Sequence, residues 1–117
     1  FGKALAEHSV WEQRLAEARI AIDMCRLLIL NTAWSIDRHG AAASRSQIAQ
    51  IKVATPRMAQ AIIDQAIQAF GAAGLCRSTG LAQLWTTVRA LRIADGPDEV
   101  HNRSIARAML KASRAAP

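Results

Sequence analysis

Apolar residues recur along the first third of the chain at helical spacing. Trp11, Leu15, Ala18, Ile22, Cys25 and Ile29 follow one another at intervals of four, three, four, three and four. That rhythm marks one face of an amphipathic helix, predicted from about residue 4 to residue 38. Met24, Leu27, Leu28 and Leu30 widen the apolar surface near its centre. This stretch is therefore expected to be covered from more than one side. Gly40 supplies a stop, and Ser44 with Gln47 has capping-box spacing for a second helix. The second helix is predicted over residues 46–69. Its face is Ile48, Ile51, Thr55, Met58, Ile62, Gln65 and Ala69. Pro56 lies inside the pattern, which resumes in phase, so a kink over residues 52–56 is expected rather than a break.

Gly71, Gly74 and Gly80 then fall within ten residues and predict a loop. A third, shorter helix is expected over residues 81–91. The run Ile93-Ala94-Asp95-Gly96-Pro97-Asp98-Glu99 reads as a turn into a helix start. Gly96 can cap, Pro97 suits a first helical position, and Asp98 and Glu99 complement the amino-terminal dipole. The fourth helix is predicted over residues 97–112, with a frayed tail to Pro117. The expected fold is all-α, an antiparallel four-helix bundle in a single domain spanning residues 1–117.

Composition sharpens this. Apolar residues make up 51% of 117, too many for disorder. β-branched residues are sparse and Tyr is absent, which argues against a sandwich or barrel. No apolar run approaches the roughly 20 residues of a membrane span. No charged segment precedes a short apolar stretch, so no signal peptide is expected. Cys25 and Cys76 stand alone, which fits core thiols in a reducing compartment rather than a disulfide framework or a zinc site. High Ala and Arg content with free thiols fits a bacterial cytoplasm. The net charge is +6, spread without any block of bases. Residues 1–40 are neutral, while residues 41–90 set Arg45, Lys52, Arg57, Arg77 and Arg89 against Asp64 alone. An anionic partner or a solvated helical surface both fit this excess.

Candidate chemistry is confined to two segments. His8, His39 and His101 form no pair at metal-ligand spacing, so no metal site is expected, and no nucleophile has a base at a recognisable spacing. Met24, Met58 and Met109 occupy positions expected in the core. The first segment is Gln68-Ala69-Phe70-Gly71-Ala72, a helix end entering a Gly-rich stretch. It is a helix stop, or a place where exposed amides let a ligand approach the backbone. The second is Asp95-Gly96-Pro97-Asp98-Glu99, with three carboxylates in five residues. It is helix capping, or a carboxylate base on a turn beside a free helix amino terminus.

Together with their surroundings these segments carry a resemblance. Phe1-Gly2-Lys3, Glu7-His8, Leu15-Ala16, Ile48-Ala49, Gln68-Ala69-Phe70-Gly71, Ile93 through His101 and Ile105-Ala106-Arg107 occur in that order. The chain resembles the carboxy-terminal helical domain of the flavin-dependent acyl-CoA dehydrogenase family over nearly its whole length. The Asp-Gly-Pro-Asp-Glu-Val-His wording is similar to a branch that uses Asp where others use Glu and tends toward long or branched acyl chains. The resemblance implies that Asp95 is the catalytic base and that Ala94, Asp95 and Gly96 face the substrate. It implies that Gln68, Ala69, Phe70, Gly71 and Ala72 touch the FAD of a neighbouring subunit, with Pro97 and Glu99 also near the cofactor. The family's second Gly is Ala72 here. Its Thr is Pro97, which has neither hydroxyl nor amide proton, and its Gln after Phe-Gly-Lys is Ser9. Asp is one carbon shorter than Glu, about 1.5 Å of reach, so backbone or substrate must approach more closely. Arg45, Lys52 and Arg107 are candidates for holding phosphates of coenzyme A or flavin. The implied partners are an acyl-CoA substrate, like subunits in a homodimer or homotetramer, and an electron-transfer flavoprotein. The family's amino-terminal helical and central β domains are absent from these residues, so the segment is not expected to be active alone.

Two other readings fit the residues. A non-enzymatic helical dimerisation module accounts for the periodicity and treats Asp95 as a cap. A nucleic-acid-binding module accounts for the charge, against which stand dispersed bases and only five aromatic residues.

Overall fold

The protein, as a computed structural model, is described from residue 2 to residue 115; the tail at Pro117 and the opening Phe1 lie outside the described residues. A 3-10 turn at Leu5–Glu7 precedes α1 (Ser9–Ala43), and α2 (Arg45–Phe70) follows after Ser44. A second 3-10 turn at Gly71–Leu75 leads to α3 (Leu81–Ala90) and then α4 (Asp98–Ala115). The described residues contain no strand, so the all-α expectation holds. None of these helices is long and apolar enough to cross a membrane.

α1 is interrupted where expected. Gly40 takes φ 80° and ψ 161°, a conformation open to glycine because it lacks a Cβ. Ala41–Ala43 are helical again beyond this kink, and Ser44 is the turn residue that leads into α2. Ser44 sits at the N-cap of α2, yet the expected capping box does not form. With φ −89° and ψ 10°, Ser44 lacks the extended backbone of a capping serine. Its hydroxyl instead meets the Ser35 hydroxyl at 2.8 Å, and both are buried. This bond ties the end of α1 to the start of α2.

The buried side of α1 differs from the expected stripe at two places. Cys25 is buried, and Trp11, Ala18 and Ile22 are half-buried, but Leu15 and Ile29 are exposed. Thr32 and Ser35 take the inner positions near the hairpin. Their hydroxyls can enter because each has a partner, Thr32 bonding the Leu28 carbonyl at 2.8 Å. Met24 and Met109 are exposed rather than core, and Cys76 is an exposed thiol.

α2 passes through Pro56 without a break and packs against α1, α3, α4 and the second 3-10 turn. The expected face, through Met58 and Ile62, is half-buried toward α1. The deepest positions are Ala49, Val53, Pro56, Gln60 and Ile63, roughly on the other side of the helix at 100° per residue. α2 is thus apolar on two sides because it is the central element.

The expected loop at 71–75 is a 3-10 turn folded back on α2. A Cβ on Gly74 would lie 2.6 Å from the Ile67 carbonyl oxygen and 2.9 Å from its Cα. Backbone cannot yield as a side-chain tip does. Gly74→Ala is expected to lower stability by about 1–3 kcal/mol, the usual range for overpacking, read by urea unfolding with tryptophan fluorescence.

The molecule is long, 63 × 27 × 25 Å, with a radius of gyration of 18.0 Å, against about 13 Å for a compact chain of 100 residues. Its accessible surface is 8489 Å². A compact monomer of 12.7 kDa would show about 6,200 Å². Much of the excess is apolar. Ile20, Met24, Leu27 and Trp34 form a stripe along the outer side of α1 and are 55–66% exposed.

Candidate functional site

The turn between α3 and α4 is built by a run of short-range bonds followed by a reversal. The amides of Leu91, Arg92, Ile93 and Ala94 bond back to Val88, Arg89, Ala90 and Ala90. Asp95 then takes φ 53° and Gly96 φ 102°. Asp is one of the few side chains that tolerates the left-handed region. The Asp98 amide donates to the Arg92 carbonyl at 3.3 Å and closes the turn. Pro97, the expected first helical residue, stands one position earlier, and its carbonyl accepts from Val100 and His101.

Asp95 lies at the apex with its side chain exposed, flanked by exposed Ala94 and half-buried Gly96. Pro97 and Glu99 are exposed beside it. The His101 ring packs under Gly96, its Nε2 only 3.2 Å from where a Cβ would stand. That nitrogen is buried and has no hydrogen-bond partner among the described residues.

Behind the apex is an ion cluster that the sequence reading did not contain. Asp98 is 5% exposed. Its Oδ2 accepts from Arg92 Nε at 2.9 Å, Arg92 Nη2 at 2.8 Å and Arg57 Nε at 3.0 Å. Arg92 Nη1 donates at 2.8 Å to Oε1 of buried Gln60. Burial pushes the Asp98 carboxyl upward, but the hydrogen bonds and charges of Arg92 and Arg57 outweigh it and hold the carboxyl below its ordinary range. Asp98 was expected only to complement a helix dipole. Arg57 and Asp98 are 41 residues apart, so no local spacing marks the pair.

Gln68 through Ala72 lie at the carboxyl end of α2 and the start of the following 3-10 turn. Gly71 takes φ 58° and ψ −138°, and a Cβ there would meet nothing within 4 Å. Open space in front of bare backbone suits close approach by an external group. Ala69 and Phe70 also line a groove of about 560 Å³ with Trp11, Leu15, Met58 and Ile62. No residue of the 94–99 turn lines that groove. Eight residues of helix separate Gln60, which holds the Asp95 turn, from Gln68, about 12 Å along the axis. The two expected segments are separate surfaces on this chain rather than one cavity. Arg45 and Arg107 are exposed and Lys52 half-buried, away from the cluster's bonds. Among the described residues no three His, Cys, Asp or Glu side chains group so as to hold a metal ion.

A family model described as "Acyl-CoA dehydrogenase, C-terminal domain" matches residues 1–110. This chain belongs to the acyl-CoA dehydrogenase family. It is 53% identical over 110 residues to "Probable acyl-CoA dehydrogenase FadE2" of Mycobacterium tuberculosis, covering 94% of this chain and 27% of that protein. It is 50% identical over 111 residues to "Acyl-CoA dehydrogenase family member 11" of Rattus norvegicus, covering 95% of this chain and 14% of that protein. Among solved structures, "Structure of a putative acyl-CoA dehydrogenase from Mycobacterium abscessus" superposes with a TM-score of 0.92 at 48% identity, over 97% of this chain and 28% of that one. The FAD complex of PigA matches with a TM-score of 0.85 at 26% identity, over 93% of this chain and 28% of that one. The chain therefore spans between 14% and 28% of the length of these relatives. As an acyl-CoA dehydrogenase carboxy-terminal domain, it carries the Asp95 turn and the Gln68–Ala72 surface as its two candidate contact regions.

Proposed function

We propose that these residues form the carboxy-terminal domain of an FAD-dependent acyl-CoA dehydrogenase that desaturates long or branched acyl-CoA thioesters between the α- and β-carbons. The observation that carries the reading is Asp95: an exposed carboxylate at the apex of a left-handed turn whose two flanks are pinned to α2. Desaturation takes a proton from the α-carbon and a hydride from the β-carbon. Asp95 takes the proton, and Ala94 and Gly96 offer backbone beside the thioester. FAD, when bound, supplies the two-electron oxidant. The open backbone at Gly71 fits a cofactor edge, with Gln68, Ala69, Phe70 and Ala72 around it and Pro97 and Glu99 facing cofactor from the other segment. The separation of the two segments, whose anchor points Gln60 and Gln68 stand about 12 Å apart along α2, is consistent with two different flavins in an oligomer, one contacted by each surface.

The remaining domains of the family would precede these residues in the full-length protein. The surface excess and the α1 stripe support a homodimer or homotetramer built partly on α1, since an excess near 2,000 Å² is on the order of a stable interface. The interaction-module reading rests on the same stripe and is absorbed by that assembly. An electron-transfer flavoprotein is the proposed acceptor.

The test uses full-length protein loaded with FAD and mixed without oxygen with butyryl-, octanoyl-, palmitoyl- and isovaleryl-CoA. Bleaching of the flavin's blue absorbance by at least one thioester, strongest for a long or branched chain, is expected. A retained flavin unchanged by all four would overturn the reading.

A further inference from the structure

We infer that Arg92 and Asp98, with Arg57 and Gln60 behind them, are positioning residues that set the geometry of the Asp95 turn. The inference rests on the role of Asp95 given above and deepens it. Arg92 and Asp98 stand at the two ends of the segment that contains Asp95. They are joined twice: by the Asp98 amide on the Arg92 carbonyl at 3.3 Å, and by two guanidinium nitrogens on Asp98 Oδ2 at 2.9 and 2.8 Å. Those bonds close the loop like a clasp. The clasp is anchored to the central helix by Arg57 on the same oxygen and by Gln60 on Arg92 Nη1. Part-buried charge-assisted bonds of this kind have strict geometry, and Arg92 uses both edges of its planar fork. A lysine in its place would keep the charge and lose the fork.

Among the described residues no side-chain hydrogen bond holds Asp95 itself. Its φ of 53° is maintained by the closed ends of the turn and by the His101 ring packed under Gly96. An apex carboxylate that must reach a carbon atom is sensitive to such support, since a displacement of about 1 Å can lower a rate on the order of 100-fold.

The test is Arg92→Lys, with Arg57→Gln as the milder variant, in the flavin-loaded full-length protein. The thioester is whichever of the four bleaches wild-type flavin fastest, and Asp95→Asn is run beside them. A drop in kcat of about 10–100-fold is expected for Arg92→Lys. KM should stay within two-fold and the acid limb of the kcat–pH profile should move. Arg57→Gln should change in the same direction by less. Amide exchange of peptides spanning residues 91–101 should speed by at least ten-fold in Arg92→Lys, with peptides in α1 unchanged. A loss of stability alone would not move the pH limb or confine faster exchange to that peptide. If Asp95→Asn abolishes turnover while both clasp variants keep kcat, pH profile and exchange at wild-type values, the clasp inference fails and the role of Asp95 stands. If Asp95→Asn turns over normally, the reading beneath the inference fails and the inference with it.

Discussion

Asp95→Asn in the flavin-loaded full-length protein is expected to lower acyl-CoA oxidation by about 10²–10⁴-fold, the usual contribution of a positioned base. Flavin content, assembly and melting temperature should match wild type. The substitution suits the site because Asn fits the left-handed conformation as readily as Asp, so the backbone at φ 53° has no reason to change. The side chain is exposed and makes no hydrogen bond among the described residues, so its loss should cost less than about 0.5 kcal/mol of stability. What changes is the proton acceptor: an amide cannot take the α-proton. Steady-state turnover and the rate of flavin bleaching read the effect, and near-normal values for both would remove Asp95 from the mechanism.

Asp98→Ala is expected to be the most damaging substitution for stability. Cutting one partner from a buried ion pair commonly costs about 3–5 kcal/mol, because the remaining charge is left uncompensated. Here two guanidiniums lose their acceptor. Arg57 is 48% exposed and can hydrate, whereas Arg92 is 28% exposed, so a loss near the lower end, about 3 kcal/mol, is expected. Urea unfolding at pH 7 measures it. The effect has a definite pH dependence. The Asp98 carboxyl is held below its ordinary value in the folded protein by Arg92 and Arg57, against the opposing push of burial. Stability from this group is therefore fully present above the unfolded value of about 3.9. It is lost as pH falls through the depressed folded value. The gap between wild type and Asp98→Ala should be constant from pH 7 to about pH 5 and shrink below about pH 4. A gap that stays the same at pH 7 and pH 3 would show that Asp98 contributes by shape rather than by charge.

Both substitutions act on one turn, and the sequence revealed its two carboxylates unequally. Asp95 was marked by its motif, since the Asp-Gly-Pro-Asp-Glu-Val-His wording carries the family resemblance. Asp98 sits in the same wording, but its partners Arg57 and Gln60 come from the middle of α2. Helical spacing connects residues three or four apart, and nothing local couples position 57 to position 98. The Ser35–Ser44 contact escaped for a related reason. Ser44 has the spacing of a capping residue, and only the hairpin's closure turns its hydroxyl toward α1.

By itself the sequence determined the helical class, the break at Gly40, the continuation of α2 through Pro56, the start of α4 within one residue and the family. These follow from local backbone preference, 3.6-residue periodicity and motif order, all readable along the chain. The tertiary structure alone decided which side of α2 is deepest, that Gly74 is required by the Ile67 backbone, and that Arg92 and Asp98 clasp the turn bearing Asp95. The physical reason is that α2 packs against every other helix. Its ion-cluster partners come from 32 and 41 residues away, Gly74 meets Ile67 only because the 3-10 turn folds back on α2, and such contacts leave no period in the text of the chain.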